Sequence, residues 1–122
     1  MRPKISWDLV DGINESARSC YPQEFLCLTR REDDVIDEML LIPGTIYGDS
    51  HSFISMWMSP VNLNVAGTAH SHPGYSNMPS DDDIDFFSSW GGIHIITCQP
   101  YDRSSWNAYD SNGRALDVEM VE

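Results

Sequence analysis

Two short stretches hold the residues best suited to chemistry: His70-Ser71-His72-Pro73 and, a few residues on, Pro79-Ser80-Asp81-Asp82-Asp83. Val65 to Ala69 runs straight into the first and reads as a buried strand. Side chains two apart on a strand share a face, so His70 and His72 should present both imidazoles to one side. Pro73 and Gly74 then stop the strand. Pro79-Ser80 ahead of an acidic run and Ile84, Phe86 and Phe87 reads as a helix start with Ser80 as N-cap, which puts Asp83 in the first turn. Two imidazoles and a carboxylate, with no fourth ligand in the motif, suit a zinc ion that keeps one position open for water.

Each half of this pattern has a plainer reading. A histidine pair in a strand is often structural. The SxxD element resembles a capping box, and Asp81, Asp82 and Asp83 taken alone are a solvated run favoured by the helix dipole. The combination is more specific, because it gathers three metal-compatible groups where a strand end meets a helix start. Hydrolytic chemistry at such a centre would also need a carboxylate beside the open position to carry a proton. Glu24 follows a helix-ending Pro22 at the start of a strand, where it is either on the active face or simply an exposed strand-end glutamate. Ser80 is either a pure cap or a cap that also faces the developing oxyanion.

The elements that must position these groups follow from periodicity. Ile5, Leu9, Val10, Ile13 and Ala17 form one helical stripe over 5–19, with Ser6 as N-cap and Tyr21-Pro22 as the stop. Glu24 to Thr29 reads as a strand, Arg30 to Asp34 as a charged turn, and Val35 to Ile42 as the second arm of a hairpin closed by Pro43-Gly44. A strand at about 51–57 and a loop at Ser59 to Asn62 precede the strand at about 65–71, the loop at 72–79 and the helix at about 80–90. Gly91-Gly92 stops that helix, and Ile93 to Cys98 is apolar enough for a central strand. Ser105 to Tyr109 and Arg114 to Val121 read as a final hairpin across Asp110 to Gly113. The expected fold is a single α/β domain over 1–122, one mixed β-sheet flanked by helices.

Composition bounds the function. The net charge of −12 argues against nucleic acid and anionic membrane as partners. Lys4 is the one lysine among seven basic residues. Such a surface fits a high-salt cytosol and an ordinary acidic protein equally well. No apolar run is long enough to span a bilayer, and no signal peptide is evident behind Met1 to Lys4. Cys20, Cys27 and Cys98 are an odd, widely spaced set, which points to a cytoplasmic protein rather than a disulfide scaffold.

His70 to Pro73 with Pro79 to Asp83 resembles the signature of the JAMM (MPN-plus) metalloproteases. Tyr21-Pro22-Gln23-Glu24-Phe25 resembles the segment carrying that family's catalytic glutamate, and the likeness continues through His94-Ile95-Ile96, Tyr101-Asp102 and Ser105-Trp106. It spans essentially the whole chain and is nearest to the minimal archaeal branch. The resemblance implies the MPN/JAMM fold, cytidine-deaminase-like in architecture. It implies one Zn2+ per chain held by His70, His72 and Asp83, Glu24 as general acid/base, and Ser80 as an oxyanion partner. It also implies a zinc isopeptidase acting on ubiquitin-like small archaeal modifier proteins and their lysine conjugates. The oligomeric state stays open between monomer and homodimer.

The other candidates have quieter readings. His94 lies in an apolar strand and reads as a core histidine. His51 reads as a surface residue or a partner to a ligand. Cys98 has no visible base beside it and reads as a small core residue. A cupin-like iron or manganese enzyme also uses HxH and a carboxylate, but it would be nearly all β. A zinc deaminase would need an H-x-E and P-C-x-x-C pattern that the chain lacks. A non-catalytic MPN scaffold would typically lack the ligand set, and an amidohydrolase barrel needs about 250 residues.

Overall fold

The computed structural model describes residues 2–41 and 64–122. After β1 (Lys4–Ser6), the Ser6 side chain accepts the Leu9 N–H at 3.1 Å and starts α1 (Trp7–Cys20). Leu9, Val10, Ile13, Asn14 and Ala17 fall on one buried stripe of α1. The chain continues through β2 (Leu26–Glu32), β3 (Val35–Leu40), β4 (Val65–Ser71), α2 (Asp81–Trp90), β5 (Ile93–Thr97), β6 (Trp106–Tyr109) and β7 (Glu119–Val121).

The seven strands among the described residues form one mixed sheet in the order β6-β5-β4-β2-β3-β1-β7. The β4–β5, β1–β3 and β1–β7 pairs are parallel, and the others are antiparallel. Register then decides which side chains share a face. Cys27, Ala69, Ile95 and Ala108 stand in one row across four strands and pack with Leu9, Val10 and Ile13 of α1. The alternate rows, Leu26-His70-Ile96 and Leu28-Thr68-His94-Tyr109, project to the opposite side. There α2 covers them with Phe86 and Phe87, which cluster with Ile96 and Tyr109. Full burial of an aromatic such as Phe87 contributes about 1.5–3 kcal/mol.

His94 belongs to this second layer and is satisfied on both nitrogens. Its Nε2–H donates to the Gly91 carbonyl at 2.6 Å, and its Nδ1 accepts the Thr68 hydroxyl at 2.7 Å. Its ring stacks on Phe87, 4.1 Å between centroids and 9° apart. Those bonds hold it as a core residue, outside the metal-compatible group described below.

Gly67 makes the parallel β4–β5 pair possible. A β-carbon there would lie 1.7 Å from the Ile93 carbonyl oxygen, a backbone atom that cannot step aside. At the end of α2, Gly91 and Gly92 take φ of +72° and +80°, the left-handed region that turns the chain into β5.

Several expectations change. The predicted start of the first helix at Ile5 gives way to β1, whose Ile5 is instead part of the core. The charged turn shortens to Asp33 and Asp34, because Arg31 and Glu32 pair with Ile36 and Val35 and stay extended. The final hairpin is replaced by a single bridge, Tyr109 to Ala115, reinforced by the Leu116 N–H donating to the Ala108 carbonyl at 2.8 Å. Beyond it the chain leaves the β6 edge, and β7 pairs with β1 at the far edge of the sheet. The expected strand at 51–57, the loop at Ser59 to Asn62, the Pro43-Gly44 closure and His51 lie outside the described residues.

Gly67→Ala should lower unfolding free energy by about 3 kcal/mol or more, the upper end for overpacking, in urea denaturation. Burial depresses His94 from the ordinary imidazole value of 6.5 to about 4. Between those values only the unfolded chain takes the proton. The stabilisation, up to about 3 kcal/mol, is therefore present above pH 6.5 and lost as pH falls toward 4. NMR of the imidazole should show His94 still neutral at pH 5; titration near 6.5 would contradict the assignment.

Candidate metal centre

His70 and His72 leave the end of β4 on one face, and Asp83 meets them from the first turn of α2. The helix start is built around that carboxylate. Ser80 Oγ accepts the Asp83 N–H at 3.1 Å, and Asp83 Oδ2 accepts the Ser80 N–H at 2.9 Å, a reciprocal capping box. The same Oδ2 lies 3.1 Å from His72 Nε2, and Oδ1 lies 3.3 Å from His70 Nε2. The two Nε2 atoms are 3.2 Å apart. His70 and Asp83 are buried and His72 is half-buried.

The tautomer of His72 decides what these contacts can hold. His72 Nδ1–H donates to the Ser76 carbonyl at 3.0 Å, so in the neutral ring Nε2 carries a lone pair. That lone pair faces a carboxylate and a second imidazole, an arrangement that is favourable only when a proton or a metal cation lies among the donors. Zinc bonds of about 2.0–2.1 Å at tetrahedral angles put neighbouring ligand atoms roughly 3.3 Å apart, the spacing seen here. Three protein donors leave a fourth position for a reactant. Among the described residues, His70, His72 and Asp83 are the group of this kind, so the donor set fits a zinc ion.

Electrostatics couple the three groups. Burial opposes the charged form of Asp83, but His70, His72 and the Ser80 N–H overcome it and hold the carboxyl well below the usual range. Asp83 in turn raises His72 above the ordinary imidazole value, against the opposing effect of burial.

Glu24 is exposed and lies two residues before β2, rather than opening it. The segment is nevertheless tied to β4. The Phe25 N–H donates to Ser71 Oγ at 2.8 Å, and the Ser71 N–H donates to the Phe25 carbonyl at 2.9 Å. Extending the Leu26-to-His70 register by two residues sets Glu24 opposite His72, on the face that carries the imidazoles. Its negative charge contributes to the raised His72 value, as expected of a near neighbour. Ser80 is exposed. Its oxygen accepts in the cap, which leaves the hydroxyl proton for another partner. Cys98 is buried and donates its thiol to the Ser105 carbonyl at 3.3 Å.

The sequence motifs do not mark the groups that hold His72 in place. These are the Ser76 carbonyl on its ring and the Tyr101 hydroxyl, which donates to its main-chain carbonyl at 2.8 Å. Backbone acceptors leave no trace in residue identity, and Tyr101 carries a signal only through its likeness to relatives.

The chain matches the family model for prokaryotic homologues of the JAB domain over residues 6–109. It belongs to that family. It is similar to a probable metalloprotease of Haloferax volcanii, with 30% identity over 97% of this chain and 79% of the relative. It also resembles the crystal structure of a JAB1/MPN domain protein from Archaeoglobus fulgidus, with a TM-score of 0.80, 38% identity, and 98% and 99% of the two chains covered. A structure described as a metalloprotease-like zinc site in the proteasome and signalosome, named JAMM, aligns over 100% of both chains with a TM-score of 0.79 and 36% identity. The MPN/JAMM fold expected from the motif is therefore correct. The chain is of the JAMM metalloprotease type, with a zinc-compatible site of two histidines and one aspartate. A cupin-like fold does not describe it: among the described residues two helices flank a mixed sheet.

Asp83 has two separable duties, and Asp83→Asn should separate them. The amide keeps an acceptor for the Ser80 N–H, so the metal-free variant should melt within a few degrees of wild type. Zinc affinity should fall beyond the about 10–100-fold typical of losing an outer partner. Chelator competition and calorimetry measure the two.

Proposed function

We propose that the chain is a zinc-dependent isopeptidase that hydrolyses the amide between a ubiquitin-like small modifier protein and a lysine, in the cytoplasm. The observation that carries this reading is the register that sets Glu24 beside the three-donor site without making it a fourth ligand. A hydrolase needs such a carboxylate, whereas a purely structural zinc site closes on four protein ligands.

His70, His72 and Asp83 would hold the zinc ion, which would supply Lewis-acid chemistry that lowers the pKa of water to about 7. Glu24 takes the proton of the attacking water and delivers it to the departing lysine amine. That step is needed because an unprotonated amine is a strongly basic leaving group. The Ser80 hydroxyl, held by its cap, donates toward the oxygen of the scissile carbonyl as charge develops there. The capping box keeps Ser80 and Asp83 in fixed relation, so one short element serves both metal and oxyanion. A glycine-ended, extended modifier tail would bind beside the site by main-chain pairing. The family likeness to a probable metalloprotease supports the hydrolytic class. The substrate class rests on the resemblance of the motif to the archaeal JAMM branch.

Glu24→Gln keeps the shape and removes the proton carrier. Zinc content and melting temperature should stay near wild type while cleavage of a lysine-linked modifier conjugate falls at least about 10²-fold, the scale of general acid–base groups. Mass spectrometry of the products identifies the bond cut. Near-normal cleavage by the variant would move the role away from Glu24, and loss of zinc would make it a support of the metal.

A further inference from the structure

His72 is held through its backbone by the last residue of β5 and by the loop that follows it. The His72 N–H donates to the Thr97 carbonyl at 2.8 Å, and the Tyr101 hydroxyl donates to the His72 carbonyl at 2.8 Å. Gln99 continues the grip: its N–H donates to the Gly74 carbonyl at 2.9 Å and its side-chain amide to the Pro73 carbonyl at 2.6 Å. The chain between the two ligand-bearing elements is therefore clasped through its backbone. Tyr101 takes the most constrained position in the clasp. It is buried, and its φ is +60°, in the left-handed region that costs a residue with a β-carbon. Its backbone is tied at both ends, by its N–H to the Cys98 carbonyl and by its carbonyl to the Arg18 guanidinium of α1. Strained conformations of this kind persist where surrounding contacts over-determine them, and they gather at functional sites.

We propose that Tyr101 is a positioning residue for the metal centre: its hydroxyl, anchored through Arg18 to α1, holds the His72 main chain so that the imidazole meets the metal at the spacing set by His70 and Asp83. His72 needs such support more than His70 does. His70 pairs with Leu26 and Ile96 within the sheet, whereas His72 lies just past the last residue of β4. The inference rests on the three-donor site of the proposed function and not on the choice of substrate.

Tyr101→Phe removes one oxygen and keeps the ring that packs edge-on against Tyr21. It should raise the zinc dissociation constant about tenfold, within the range for outer partners of metal ligands. It should also shift and weaken the visible bands of the cobalt-substituted protein, which report ligand geometry directly. Tyr109→Phe is the control. Its hydroxyl donates to the Asn77 carbonyl of the same loop at 2.8 Å, farther along the chain from His72. This variant should lose thermal stability but bind zinc within about twofold of wild type and keep the cobalt spectrum. Wild-type affinity and spectrum in Tyr101→Phe would overturn the proposal. So would equal losses in both variants, since that would be loop stability alone. Failure of the wild-type chain to bind zinc would overturn the centre itself. Each of these outcomes is read from metal binding, independently of any cleavage assay.

Discussion

The Asp83 carboxylate is where the architecture and the chemistry of this protein meet. One oxygen closes the capping box that begins α2, and the pair of oxygens faces the imidazoles of His70 and His72. A buried carboxylate is costly unless its lone pairs are occupied. Here they are occupied by a helix N-terminus on one side and two imidazoles on the other. The helix start and the strand end are thereby fixed against each other, and the space between the donors follows from that junction. The aromatic layer of Phe86 and Phe87 over Ile96 and Tyr109 sets how α2 lies on the sheet, and so sets the approach of Asp83.

The sheet supplies the rest of the precision. His70 stands in a row with Leu26 and Ile96, between two neighbouring strands, so its position is set by ladder pairing on both sides. Gly67 allows β4 and β5 to come close enough for that ladder to run without a break up to Ser71. The Ser71 side chain faces away from the imidazoles and uses its hydroxyl to hold Phe25, which brings Glu24 beside the site. The central residue of the HxH motif is thus not a spacer: it binds the neighbouring segment that carries the carboxylate.

The site was legible in the sequence because its determinants are local. Strand alternation at His70 and His72, the stop at Pro73 and the cap at Ser80 each act within a few residues, and the structure joins them as their types suggest. The helical stripe of α1 and the glycine stop after Trp90 were readable for the same reason. What escaped is non-local. β1 and β7 have three residues each and are defined by long-range pairing, β1 with β3 and β7, β7 with β1, and no periodicity can be seen in so short a run. Arg31 and Glu32 look like turn residues by charge, but their partners in β3 keep them extended. The clasp on His72 is made largely of main-chain carbonyls, to which residue identity is blind.

The placement of β7 has a kinetic side. The first strand of the sheet, β1, lies between β3 and the last strand, β7. Pairing across nearly the whole length of a chain must overcome a large loop-closure entropy, and it comes late in folding. His70, His72 and Asp83 all precede β7, and β2 and β5, the strands that flank β4, precede it as well. During synthesis, which delivers N-terminal segments first, the metal-compatible triad emerges while the outer edge of β1 is still bare. The three donors thus stand on elements other than β1 and β7, which pair with each other at the far edge of the sheet.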